Sequence, residues 1–225
     1  MTKKISIFFV VLAICLSAGG QDLVAESYHS DIGEITDLLN RWAYFRDHGM
    51  WDQLRTTFWR EGMISISWFE GPFEEFVDEC IKMDEKDTSK LLKHVIATPS
   101  VKVNGTRAVS EVNVIIYNRS SIRGLDVDMT SFIRFYDMLE KRNNSWRIVK
   151  RTAIYEKDRI DTVQPSFLFW FASLFINYEK YPKPYRYLGY GLEKSGYKLS
   201  KNIIVNNSEG LKLLYKAGDT WLESK

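Results

Sequence analysis

W-A-Y-F-R-D-H-G, Trp42 to Gly49, closes a run of apolar residues at helical spacing and puts a carboxylate, Asp47, in its last turn. Ile32, Ile35, Leu38, Leu39, Trp42 and Phe45 fall on one face of a helix expected over 30–48. Ser30 and Asp31 are N-cap candidates, Glu34 lies in the first turn, and Gly49 is the stop. A helix C-terminus carries partial negative charge, so an acid there is disfavoured by roughly 0.3–1 kcal/mol. Local rules tend to be broken at functional sites. His94, a lone histidine further along, is the partner this placement suggests for Asp47, and an Asp/His pair inside a pocket is the first expectation.

Outward from that helix, Trp51 to Trp59 reads as a second short helix and Met63 to Phe69 as a strand-like run. Pro72 to Met83 reads as a third helix with Phe73, Phe76, Val77 and Cys80 on one side. From Val95 the period changes. Ser100 to Val103 and Ala108 to Tyr117 form a hairpin about Asn104-Gly105, and Met129 to Leu139 and Trp146 to Tyr155 follow as strands joined through Lys141 to Ser145. Helices first and then a meander of long strands is an α+β pattern. The expected architecture is a curved antiparallel sheet forming a cone with N-terminal helices, over 30–161. The mouth of such a cone is a natural small-molecule site.

Residues 162–225 read as an aromatic-rich, mostly helical extension packed on the cone as a lid or a dimer element. Its apolar run, Phe167 to Ile176, is too short for the roughly 20 residues a spanning helix needs. Y-P-K-P-Y-R-Y-L-G-Y-G, from Tyr181, mixes aromatics with turn residues, and Ser208 to Leu222 reads as a closing amphipathic helix.

Residues 1–20 read as a secretory signal peptide: Lys3 and Lys4, then the apolar Ile5 to Leu16, then the small residues Ala18-Gly19-Gly20. Cleavage after Gly20 or Ala25 fits, and a lipoprotein signal at Cys15 fits poorly because Ile14 is not small. The expectation is export, periplasmic or secreted, with no transmembrane segment in the mature chain. Loss of the leader removes two of the 31 basic side chains and none of the 29 acidic ones, so the mature chain carries no net charge. Nothing here is an electrostatic footprint for nucleic acid, or a polybasic segment for acidic lipid. Cys80 is then the one cysteine, best read as a buried apolar residue on a helix.

Three stretches taken together carry a resemblance: L-L-N-R-W-A-Y-F-R-D-H-G-M-W-D-Q-L from Leu38; His94 followed by V-K-V-N-G-T-R-A; and R-F-Y-D from Arg134 with W-R-I-V-K-R-T-A-I-Y-E from Trp146. In order and spacing the chain resembles the SnoaL-like branch of the nuclear transport factor 2-like superfamily, in particular its scytalone dehydratase and bile-acid dehydratase type. The resemblance implies an α+β cone of cystatin-like kind, often dimeric through the sheet. It also implies a dyad of Asp47 and His94. Trp42 stands where relatives commonly carry a pocket tyrosine, which removes a hydroxyl able to polarise a carbonyl.

On this reading His94 is the acid/base and Asp47 its orienter, since a carboxylate partner holds imidazole as a general base near neutrality. Trp42, Tyr44, Trp68, Asn113 and Arg134 are the candidate substrate-binding residues. Glu111, Asn113, Ile115 and Tyr117 share one strand face, mixed enough to line a cavity or simply to be solvated. Arg134 and Asp137 fall on opposite faces, and Arg151 with Glu156 reads as a structural pair. The expected partner is a small apolar or polycyclic molecule, handled by dehydration or isomerisation, with no cofactor. No metal site is expected, for three histidines without H-x-H or H-E-x-x-H spacing propose none. G-Y-G-L-E-K-S-G at Gly189 fails the dinucleotide spacing. Asn104, Asn118, Asn143 and Asn206 begin glycosylation sequons, which matter only in a glycosylating host. The alternatives are a non-catalytic ligand-binding or protein-interaction module on the same cone, and a structural subunit of the cell envelope.

Overall fold

The structure, a computed structural model, describes residues 28–86, 91–122, 124–167, 170–171 and 177–224. The leader, both cleavage positions, Cys15 and most of the apolar run from Phe167 lie outside these residues.

Helix α1, over 28–47, buries Ile35, Leu38, Leu39, Trp42 and Ala43 and leaves its other side to solvent. Asp31 is not its N-cap. It is buried, accepting from Lys141 Nζ at 2.7 Å and Trp146 Nε1 at 2.9 Å, while Glu34 accepts from the Trp146 backbone N–H at 3.0 Å. Both acids therefore tie the helix start to a distant hairpin. The helix ends as expected: Gly49 takes a left-handed φ of +64°, and Met50 N–H reaches back to Phe45 O at 2.9 Å.

Helix α2 (Trp51–Arg55) stops four residues short of Trp59. The hydroxyls of Thr56 and Thr57 bond back to Gln53 O and Leu54 O and close it. Strand β1 (Phe58–Ser65) begins within three residues, burying Phe58 and Ile64 and exposing Met63, with a register irregularity against the sheet between Phe58 and Met63 where Arg60 and Glu61 are both exposed. The run to Phe69 is not one strand: the chain bends after Ser65, and β2 (Glu70–Pro72) folds back on β1. Helix α3 (Phe73–Lys86) buries Phe73, Phe76, Val77, Cys80 and Met83.

Strand β3 (Leu91–Ile96), unforeseen as a strand, carries His94. Then follow β4 (Ser100–Asn104) and three long strands, β5 (Arg107–Ile122), β6 (Leu125–Arg142) and β7 (Ser145–Thr162). Left-handed Asn143 and Asn144, at φ +49° and +63°, make the tight β6–β7 turn. The sheet runs β2-β1-β7-β6-β5-β3, with β4 beside β5 and a short β8 (Ile204–Val205) beside β7. It is an open, curved sheet rather than a closed one. It is also mixed rather than purely antiparallel, since β1 and β8 each run parallel to β7.

Its concave face carries Val112, Val114, Ile133, Phe135, Leu139, Ile148, Ala153 and Tyr155 against α1 and α3, forming the main core. The tail packs on both faces. Two 3₁₀ turns and helix α4 (Arg186–Lys194) meet the end of β7, with Tyr185 and Leu188 in the main core. Helix α5 (Glu209–Glu223), expected from Ser208 onward and capped by the Ser208 side chain, covers Val109, Tyr136, Met138 and Ile154 on the convex face. A Cβ at Gly218 would overlap the Tyr136 hydroxyl, so only glycine admits this approach. Among the described residues no helix is long and apolar enough to cross a membrane.

Gly49→Ala should destabilise the chain by about 1–2 kcal/mol, from the left-handed backbone alone. The added methyl group would meet the Trp51 ring at an ordinary 3.5 Å. Urea unfolding monitored by tryptophan fluorescence measures this directly.

Candidate functional site

Asp47 and His94 come together, though 47 residues separate them. The end of α1 holds Asp47, and edge strand β3 supplies His94. One carboxylate oxygen of Asp47 lies 2.6 Å from His94 Nδ1, and the other accepts the His94 backbone N–H at 2.8 Å. Lys93 Nζ stands 3.8 Å from the same second oxygen. These contacts offset the unfavourable position of an acid at a helix C-terminus. Both side chains are nearly enclosed, 2 % exposed for Asp47 and 7 % for His94.

Burial is the dominant influence on His94 and holds its pKa below the ordinary 6.5. The hydrogen bond and charge of Asp47 oppose that shift, and the cations Arg46 and Arg151 add to it. The ring is therefore neutral at neutral pH. A carboxylate can only accept, so the hydrogen-bond network assigns the proton to Nδ1 and leaves Nε2 with its lone pair. That is the tautomer of a poised base.

Trp42 connects the dyad to a second charged pair. Its ring lies edge-on to His94 at 5.4 Å and to Phe135 at 5.3 Å. The Arg151 guanidinium sits 4.4 Å from the Trp42 ring centre and 4.3 Å from that of Phe135. Arg151 Nε and Nη2 each donate to one oxygen of Asp137 at 2.7 Å. The pair is essentially sealed from solvent, 1 % and 0 % exposed. Two N–H donors here, Arg151 Nη1 and Trp42 Nε1, are buried with no hydrogen-bond partner among the described residues. Unsatisfied buried donors are rare and each calls for a reason. Each is a donor that a carbonyl or carboxylate oxygen would satisfy. Trp42 thus carries an N–H at the chain position to which the resemblance assigns a tyrosine.

The other candidate positions lie elsewhere. Tyr44 is exposed and stacks on His48 at 4.2 Å, one helical turn along and away from the sheet. His48 itself bonds Tyr44 O at 2.7 Å, which satisfies it at the helix end. Asn113 is exposed on the convex face. Arg134 is on that face too, held by Glu111, Glu156 at 2.9 Å, Tyr215 at 2.7 Å and Asn206 at 2.9 Å under α5. The mixed set Glu111, Asn113, Ile115 and Tyr117 therefore faces away from the concave side, and Val112, Val114 and Ile116 face into it. Strand alternation separates the two sets, and the helices cover the more apolar one. Trp68 is half-buried between Phe76 at 5.5 Å and Tyr197 at 5.6 Å, with no contact to His94 recorded among the described residues. Glu156 pairs with Arg134, and Arg151 with Asp137, so the expected Arg151–Glu156 pair does not form. Asp137 and Arg151 are what sequence reasoning missed. The only signal available was a charge of each sign on two strands of long apolar character, with nothing local to say that the two would meet.

A model of the SnoaL-like domain matches residues 27–152, more than half of the chain. Pea pathogenicity protein 2 of Fusarium vanettenii is 26 % identical over 204 residues, covering 85 % of each chain, so that likeness runs past the domain into the tail. Among solved structures, a protein of Kribbella flavida is 14 % identical with a TM-score of 0.50, over 63 % of this chain and 97 % of its own. A candidate scytalone dehydratase of Novosphingobium aromaticivorans is 12 % identical with a TM-score of 0.48, over 63 % and 93 %. From the domain match, which spans more than half of its residues, the chain belongs to the SnoaL-like domain family.

Proposed function

We propose that the chain is an exported acid/base catalyst that dehydrates or isomerises a small cyclic, largely apolar carbonyl compound. The observation that carries this reading is the pair of unpartnered buried donors, Arg151 Nη1 and Trp42 Nε1, beside a neutral histidine held in one tautomer. In this mechanism the substrate carbonyl accepts from both donors. His94 Nε2 removes the proton alpha to that carbonyl, and the electron pair moves onto oxygen as an enolate. Hydrogen-bond donors fixed before the reaction stabilise such a charge without reorganisation. The imidazolium, steadied by Asp47, then returns its proton. Delivered to a beta hydroxyl it releases water and leaves an enone; delivered to another carbon it moves a double bond. Both outcomes balance by proton transfer alone, so the proposal invokes no cofactor.

A non-catalytic ligand-binding module is the second reading. It draws on the second bond of Asp47, to the His94 backbone, which a purely structural closure of the helix end would also use.

Alpha-proton removal can be tested before the substrate is known, as deuterium uptake next to the carbonyl of a panel of cyclic ketones in heavy water. The wild-type chain should accelerate uptake for at least one, and His94→Gln should lower that rate by roughly 10²–10⁴-fold. Undiminished exchange in His94→Gln would remove histidine from the base role, and no exchange with any ketone would favour the binding module. Arg151→Lys keeps the charge but not the planar fork, and should lower kcat by about 10²–10³-fold with a smaller effect on KM. An effect on KM alone would make Arg151 a binding group.

The pH dependence follows from the lowered pKa of His94. A neutral imidazole is required, so the acid limb of kcat/KM should fall below the ordinary 6.5. Stability has the same sign, since the folded state binds the proton less readily than the unfolded one. The contribution is intact above about 6.5 and is lost as pH falls toward the lowered folded value. Unfolding midpoints measured from pH 8 to 4 should decline less steeply in His94→Gln.

A further inference from the structure

Arg46 continues the buried face of α1. Ile35, Leu39 and Trp42 precede it at helical spacing, so a guanidinium enters the molecule where an apolar side chain is expected. It stands next to Asp47 and one turn beyond Trp42, and its charge acts on His94. The side chain is only 5 % exposed.

Little offsets that burial. The ion-pair partner of Arg46 among the described residues is Asp84 on α3, whose Oδ1 lies 3.8 Å from Nη1, close enough to attract and too far for a hydrogen bond. The guanidinium carbon lies 5.5 Å from the centre of the Trp51 ring, a contact that uses the charge and commits none of the N–H groups. Asp47 has its two carboxylate oxygens on His94 and Lys93. Among the described residues, therefore, no acceptor takes a hydrogen bond from Arg46. Arg46 also differs from Arg151, whose Nη1 is sealed: no nitrogen of Arg46 is both sealed and unpartnered. With no hydrogen bond made, each keeps some contact with solvent, so the guanidinium ends at a narrow opening close to the dyad.

A charge taken out of water costs free energy unless it is paired and hydrogen-bonded. A local rule broken in this way marks a position whose partner comes from outside the chain. The planar fork of a guanidinium fits a carboxylate through two parallel N–H···O bonds. Asp84 already balances part of the charge, which suits a monoanion better than a phosphate dianion. We propose that Arg46 anchors a carboxylate of the substrate in the opening beside His94, so that the chain acts on a cyclic carbonyl compound that also carries an acid group. This deepens the reading above and rests on it for the chemistry at His94, but its test measures binding alone.

Calorimetric titration of the full chain with naphthoate, naphthamide and naphthyl phosphate reads the preference. The carboxylate should bind about 10–100-fold more tightly than the amide. Arg46→Met should lower naphthoate affinity to that of the amide and leave the amide unchanged. Arg46→Lys, with the charge but not the fork, should fall between. Arg46→Met removes a buried charge and keeps an unbranched stem, so it should also raise the thermal midpoint, by about 2–4 °C. An arginine kept for structure alone would give the opposite sign with the preference intact. Equal affinity for acid and amide, no binding of the acid, or a preference that survives Arg46→Met overturns the anchor, and tighter binding of the phosphate overturns the carboxylate assignment. If Arg46→Met does not fold, the Arg46 Nε–H resonance of the wild-type chain decides: it should shift with naphthoate and stay in place with the amide, and no shift with naphthoate overturns the anchor. A chain that holds naphthoate through Arg46 but exchanges no ketone fails only as an acid/base catalyst. One that exchanges ketones through His94 without preferring the acid fails only in the anchor.

Discussion

The Arg151–Asp137 pair is the constraint around which the site is arranged. Two opposite charges sit on the concave face of β6 and β7 with almost no exposure. Removing such charges from water costs several kcal/mol per ion, and only good geometry recovers it. The bidentate bond meets Asp137, and the faces of Trp42 and Phe135 meet the rest of the guanidinium. Trp42 is thereby fixed between helix and sheet. The helix end that follows is fixed with it, so Asp47 meets β3 where His94 stands. One guanidinium nitrogen, Nη1, is left without a partner among the described residues.

The two faces of the sheet have separate tasks. On the concave side, apolar packing surrounds a few committed polar groups. The convex side carries Arg134 with two carboxylates, a tyrosine and an asparagine, all recruited to hold α5. Arg107 stacks on Trp221 at 4.3 Å and, with Asn104, meets the last carbonyls of that helix. Part of the convex face is thus already occupied by the chain's own tail, and any partner at the sheet has to use what α5 leaves open.

Much of this could be read along the chain, and the reasons are local. The apolar period of α1, the Gly49 stop, the buried face of α3, the Asn-rich β6–β7 turn and the start of α5 near Ser208 each depend on residues within a few positions of one another. The failures are equally physical. Asp31 looks like an N-cap because nothing nearby tells that its carboxylate meets Trp146 and Lys141 more than a hundred residues away. Trp51 to Trp59 looks helical until the two threonine hydroxyls bond back and Phe58 finds the core. Leu91 to Ile96 is too short to announce itself and becomes a strand by pairing with β5.

The sequence by itself determined the alternation of the strands, the period of the helices, and hence which residues share a face. It also placed Asp47 at a helix end and, through the resemblance its motifs carry, paired it with His94. It could not say which face of each strand turns inward, because alternation is symmetric until helices cover one side. That choice put Arg134 and Asn113 outside and drew Arg151 and Asp137 inside. Only the tertiary structure decided it, since the free energy of burying a charge is set by the partner it meets, and that partner comes from another strand.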